Sequence, residues 1–156
     1  MKGMERLQAY LRERQVPFQV QHHPRAYTAQ RVAAAEHVSG KLVAKVVMVV
    51  ADGKLAMLVL RAPDRVDLDK AARALGAATA RLATEAEFAD AFPDCEVGAM
   101  PPFGNLYGFE VLVDRALAED ELIIFPAGTH TDTISLAYQD FERLVAPRVA
   151  DLASHY

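Results

Sequence analysis

Hydrophobic residues at Met4, Leu7, Tyr10 and Leu11 recur at helical spacing, which predicts a first helix from about Met4 to Gln15, stopped before Pro17. Phe18-Gln19-Val20-Gln21 then alternates as a short strand does. Thr28 as N-cap predicts a helix through about His37, with Gly40 as its C-terminal stop. Next comes the most apolar stretch of the chain, Leu42 to Ala51, read as a strand. Alternation along it sets Leu42, Ala44, Val46, Met48 and Val50 on one face and Val43, Lys45, Val47 and Val49 on the other, so both faces look covered. Asp52-Gly53 is a type I′ hairpin signal and makes Lys54 to Leu60 the antiparallel partner.

Asp67 caps a short helix ending at Leu75-Gly76, and Thr84-Glu85-Ala86-Glu87 is a capping box opening another that Pro93 ends. Gly98 to Gly104 holds two prolines and two glycines and fits neither a helix nor a central strand. Phe109 to Val113 and Leu122 to Phe125 are expected as two strands, antiparallel across the Asp114 to Glu121 connection. A second special loop, Gly128 to Asp132, precedes a strand at about Thr133 to Ala137 and a helix from Asp140 to Val145. Helices interspersed with hairpins predict an α+β fold: one domain over residues 1–156, with a mixed, mostly antiparallel sheet flanked by helices.

A chain of 156 residues buries about two thirds of its unfolded surface and needs no disulfide or metal to hold it. No apolar run approaches the ~18 residues of a membrane span. Behind Met1-Lys2-Gly3-Met4-Glu5-Arg6 there is neither an apolar segment nor a cleavage site, which argues against a secretory signal and makes the cytoplasm the expected compartment. The single cysteine, Cys95, stands between Asp94 and Glu96, neighbours that disfavour a thiolate, so it reads as packing and not as a nucleophile. The net charge of −4 hides an asymmetry: residues 1–81 hold 14 Lys or Arg and 7 Asp or Glu, whereas residues 82–156 hold 3 and 14. Such polarity can mark a surface for a polynucleotide, over a short contact only, unless folding interleaves the halves.

The chemistry is bounded by absences. The sequence contains no Gly-x-Ser-x-Gly elbow, Walker loop, dinucleotide fingerprint or His-Glu-x-x-His pair, and His22-His23 before Pro24 has no carboxylate at metal-ligand spacing. No cofactor or metal is expected, and a hydrolase built here activates water without a covalent nucleophile. Lys45 is the residue that does not belong in its surroundings, since a covered ammonium needs a partner carboxylate or an opening toward an anion. The Gly98 to Gly104 loop is either a rigid surface turn or a set of backbone dipoles for water or an oxyanion. His130, between Thr129 and Thr131, is either solvated or a hydrogen-bonding partner for substrate.

These residues together resemble the YbaK/prolyl-tRNA-synthetase-associated editing family, the trans-acting aminoacyl-tRNA deacylases. The resemblance spans most of the chain: His23-Pro24 and Thr28 before a helix with alanines, Gly40-Lys41-Leu42-Val43-Ala44-Lys45 at the long strand, Gly98-Ala99-Met100-Pro101-Pro102 with Phe103-Gly104, and Gly128-Thr129-His130. It implies Lys45, Gly98 and His130 as catalytic residues. Thr28, Ala99, Met100, Pro101, Pro102, Phe103, Gly128 and Thr129 are implied to bind substrate. It further implies an aminoacyl-tRNA 3′ end, of proline tRNA above all, as partner, with prolyl-tRNA synthetase as a second. Related proteins often carry a small polar residue directly after the lysine; Val46 departs from that pattern and bears on which amino acid is removed. A non-catalytic module for tRNA ends or a synthetase, and a nucleotide-phosphate-binding domain, are the alternatives.

Overall fold

The computed structural model describes residues 3–36 and 38–154. Ten strands and five α-helices are described: α1 (Gly3–Glu13), β1 (Gln19–His22), α2 (Ala29–Ala35), β2 (Ala44–Ala51), β3 (Lys54–Arg61), β4 (Arg65–Val66), α3 (Leu68–Leu75), β5 (Ala80–Leu82), α4 (Glu85–Phe88), β6 (Val111–Asp114), β7 (Leu122–Pro126), β8 (Asp132–Ala137), α5 (Tyr138–Val145), β9 (Arg148–Ala150) and β10 (Ala153–Ser154). The fold is α+β, with a five-stranded sheet in the order β5-β2-β3-β6-β9, a three-stranded sheet β1-β8-β7 and the pair β10-β4. A parallel bridge from Val43 to Ile124 joins the two larger sheets.

Local signals place most elements. Asp52 and Gly53 both take positive φ (48° and 82°), the I′ conformation that sets β2 antiparallel to β3 with Ala51 opposite Lys54. The Asp67 side chain accepts from the backbone N–H of Asp69 and Lys70 to open α3, and Gly76 closes it at φ 66°. Thr84 and Glu87 form the expected capping box, and Thr28 accepts from the Arg31 N–H at the start of α2. The expected end of α2 at His37 lies outside the described residues. Its C-cap is Glu36, and Gly40 instead opens a 3₁₀ turn, Gly40–Leu42, that leads into β2.

The expected pairing of the segments at 109–113 and 122–125 is overturned. β6 runs parallel between β3 and β9, whereas β7 pairs antiparallel with β8 in the other sheet. The 3₁₀ turn Leu117–Glu119, with Leu117 fully buried, carries the chain from one sheet to the other, so the connection is a crossover and not a hairpin.

Both faces of β2 are covered, as the alternation predicts. Ala44 and Met48 join the main core, where Leu7, Leu11, Phe103, Phe125 and Phe141 fill the space between the sheets, α1 and α5. Val49 packs on the opposite face with Leu58, Leu60 and Ala71 of α3. Val43 belongs to a third cluster under α2, with Val32, Ala62 and Ile124. Lys45 lies on the Val43–Val49 face, so it stands where the second cluster gives way to the third. The basic and acidic parts of the sequence interleave, since β2 and β3 share one sheet with β6 and β9. No helix among the described residues is long and apolar enough to cross a membrane.

Candidate active site

At the break between those clusters a cavity of about 700 Å³ opens, with Lys45 in its wall. Strand β2 fixes the lysine opposite Leu60 of β3. No hydrogen bond or ion pair within 4 Å joins its ammonium to a described residue. Burial holds the Lys45 pKa below the ordinary lysine value; nearby Asp64 opposes that effect and Arg65 adds to it. Both neighbours also line the cavity. Asp64 is occupied elsewhere, since Arg61 Nε donates to its Oδ2 at 3.3 Å. An ammonium partly stripped of water and without a carboxylate in contact is a site for an anion.

Facing it are the two loops singled out in the sequence, laced together through their backbones. The Glu96 N–H donates to the Gly128 carbonyl at 2.8 Å and the Gly128 N–H to the Ala99 carbonyl at 2.9 Å. The His130 N–H donates to Glu96 Oε1 at 2.8 Å, a bond that leads the lowering of the Glu96 pKa. The His130 ring then reaches back, with Nε2 2.8 Å from the Val97 carbonyl. A carbonyl can only accept, so Nε2 carries the proton and Nδ1 is the ring nitrogen left with a lone pair in the neutral form. His130 is thus committed to holding the Gly98 loop. Gly98 at φ 87° and Gly128 at φ 95° occupy backbone space that side chains disfavour, and a Cβ on Gly98 would meet the His130 ring at 3.5 Å.

The Gly128–Asp132 loop is fixed from below. Thr129 Oγ1 donates to Asp132 Oδ2 at 2.6 Å, and the other carboxylate oxygen is bonded to His22 Nδ1. Burial would raise the Asp132 pKa, but Thr129, His22 and Thr131 outweigh it and leave the group below the ordinary carboxylate value. Beneath α2 lies a buried pair absent from the expected site. His23 Nδ1 donates to the Pro24 carbonyl at 2.7 Å, and its Nε2 lies 3.5 Å from Glu36 Oε2, which also accepts from Thr133 Oγ1 at 2.7 Å.

Of the residues singled out beforehand, Lys45, Gly98, His130, Thr28 and Thr129 line this one cavity, and Val46 lines it too. Ala99, Met100, Pro101, Pro102, Phe103 and Gly128 do not. Met100 and Phe103 face the main core, Ala99 is 1% exposed, and both prolines are buried. Gly128 packs instead against Gly3, Met4 and Cys95 beside a second hollow on the far side of its loop. Their contribution is to anchor the loop that presents Gly98. Sequence reasoning gave no site role to His23, Tyr27, Asp64, Arg65 or Asp132. His23 entered as a weak metal-ligand candidate and as part of the resemblance, and Asp132 as the end of the special loop; Tyr27 and Asp64 lie in connections and Arg65 opens a two-residue strand, where no periodicity reports side-chain direction. Small side chains, Ala26, Ala29 and Ala62, form much of the apolar wall. Among the described residues no group of three or more His, Cys, Asp or Glu is arranged to hold a metal ion.

Residues 23–144 match the family model described as the aminoacyl-tRNA editing domain. Comparison with curated sequences gives no significant match. Among solved structures, a candidate trans-editing enzyme for prolyl-tRNA synthetase superposes with a TM-score of 0.84 at 23% identity, over 99% of each chain. A structure from work on epitope backbone grafting onto scaffold proteins by computational design gives a TM-score of 0.85 at 22% identity, over 100% of this chain and 99% of that one. A candidate signal transduction protein from Marinobacter aquaeolei VT8 gives 0.74 at 19% identity, with 96% of this chain matched to 30% of that one. At these identities the structural likeness shows the fold alone.

Proposed function

Because this chain belongs to the aminoacyl-tRNA editing domain family, we propose that it hydrolyses the ester linking a wrongly attached amino acid to the terminal ribose of a tRNA, that of proline above all. The observation that carries this reading is the half-buried Lys45 ammonium, with no ion pair among the described residues, in one cavity with Gly98 and His130. An aminoacyl ester is already activated, so its hydrolysis asks for positioning and charge stabilisation more than for a strong nucleophile. Lys45 meets the phosphate or ester end of the tRNA. Water adds to the ester carbonyl beside the Gly98 backbone, the ribose oxygen leaves and takes up a proton, and free amino acid and uncharged tRNA result.

His130 acts as a positioning residue. Its Nε2 proton is spent on the Val97 carbonyl, so the ring keeps the Gly98 backbone aimed into the cavity, and Thr129 and Thr28 border the aminoacyl group. The modest net charge of −4 suits a substrate of which only the single-stranded end enters. Discrimination by one methylene is worth only about 1–3 kcal/mol, which is the need such a hydrolase answers beside a synthetase.

The test is to incubate the protein with proline tRNA charged separately with alanine, cysteine, serine and 2-aminobutyrate. Deacylation above the spontaneous rate on at least one of them, lost in a folded Lys45→Ala variant, is the expected result. Binding without turnover on every charged tRNA would replace the hydrolase with a carrier of tRNA ends.

A further inference from the structure

Tyr27 is the most exposed large hydrophobic residue described, at 65%, and it stands in the wall of the Lys45 cavity. An exposed aromatic ring is ordinary on a loose loop, but Tyr27 is not on one. The residue before it is fixed by the Ala26 N–H donating to the His130 carbonyl at 3.0 Å. The residue after it, Thr28, is fixed as the N-cap of α2 through the Arg31 N–H at 3.1 Å. The ring rests on the His130 imidazole, with centroids 4.7 Å apart at an angle of 49°, and still keeps 65% of its surface exposed. Val97, 43% exposed, presents a second apolar side chain from the residue whose carbonyl holds that imidazole. The Arg25 guanidinium lies 6.0 Å from the Tyr27 ring centroid and is tethered to Glu96 at 3.2 Å.

We propose that Tyr27, backed by His130 and with the Arg25 guanidinium over its ring, is a stacking platform for a nucleobase, that of the terminal adenosine bearing the ester. The proposal rests on the deacylase reading above and adds to it the subsite for the base. A flat π-face held in advance pays little ordering entropy on binding, and any base can use it. The base and the scissile ester share one ribose, so a base subsite must lie within a nucleoside's breadth of the reacting carbonyl; Tyr27, Gly98 and Lys45 meet that condition by lining one cavity. Arg25, whose guanidinium stands 6.0 Å over the ring centroid, adds a cation beside the base that suits the phosphate of the same nucleotide.

The chain has no tryptophan, so Tyr27→Trp introduces a single indole reporter at the platform. The probes are the ribonucleotide trimer CCA and the same trimer lacking its terminal base. Saturable quenching of the indole by CCA is expected, with affinity about 5- to 100-fold weaker for the abasic trimer. In deacylation, Tyr27→Leu, which keeps apolar cover over His130 without a π-face, is expected to raise KM by a similar factor, and Tyr27→Phe, which restores the π-face, to recover most of that loss. Thermal melts of each variant show that it is folded. Equal affinity for the two trimers, or a KM unmoved by Tyr27→Leu, overturns the platform even if the enzyme deacylates normally. If no charged tRNA is hydrolysed yet the indole discriminates the two trimers, the deacylase reading fails and the base subsite stands.

Discussion

Replacing Lys45 by methionine separates what the cation costs the fold from what it contributes to the site. The side chain keeps its length in β2 opposite Leu60 but loses a charge that has no carboxylate in contact. Full burial of an ammonium costs several kcal/mol. Lys45 is only half-buried, Asp64 offsets part of the penalty, and solvent screens what remains, which leaves about 1–2 kcal/mol. At about 2–4 °C per kcal/mol for a chain of this size, Lys45→Met should melt roughly 2–8 °C above wild type at neutral pH and, on the proposed function, lose about 100-fold or more of the deacylation rate. The pH dependence has a definite sign. The folded pKa lies below the unfolded one, so between the two values the unfolded chain binds more protons, and wild-type stability rises with pH across that interval. The penalty is whole below the folded pKa and gone above the ordinary lysine value of about 10.4, so the variant's advantage should shrink in calorimetric melts taken at about pH 10.5. A variant that melts below wild type at neutral pH, or whose advantage grows with pH, would mean that the ammonium is favourably paired and the argument for an anion site is wrong.

His130→Ala removes the clamp on the Val97 carbonyl. It should lower kcat more than it raises KM and destabilise by about 1–3 kcal/mol, with partial recovery in His130→Asn; steady-state kinetics and urea unfolding of both variants decide it. Gly3→Ala forces a Cβ to 2.6 Å from Cys95 Sγ and 2.8 Å from the Asp94 carbonyl, so α1 must shift, at a cost of about 1–3 kcal/mol by thermal melting; an unchanged melt would show that the helix is not seated there. Burial drives the Cys95 thiol up to about 11, against a smaller lowering by Tyr107. Alkylation by iodoacetamide near pH 8 should therefore run about 100-fold or more slower than for a free thiol until the chain is unfolded, as intact-mass time courses would record.

The elements readable in the sequence are those whose signals are local. Asp52-Gly53, Asp67 with Gly76, and the Thr84–Glu87 box each act on the backbone within a few residues, and each appears where it was expected. Strand partners are a non-local matter. Val111–Asp114 and Leu122–Pro126 carry the same apolar character, and only Leu117 folding inward between them sends them to different sheets. Strands such as Ala80–Leu82 and Arg148–Ala150 are only three residues long, and an existing edge recruits them without any periodicity of their own. Lys45 was legible because a charge in an apolar run violates the pattern around it. Tyr27 and Asp64 were not, because an aromatic ring or a carboxylate in a turn violates nothing until the fold shows where it points.

The alanine wall of the cavity separates selectivity from architecture. Ala29 of α2, Ala26 before it and Ala62 just after β3 line the cavity, whereas the lysine and the laced loops belong to the frame. On the proposed function, enlarging Ala29, the partly exposed one of the three, narrows the space left for an amino-acid side chain, whereas Ala26 and Ala62 are also packed in the cluster under α2 and tolerate less. On the deacylase reading, substitution in this wall is the step that would change the amino acid removed while the frame stays in place.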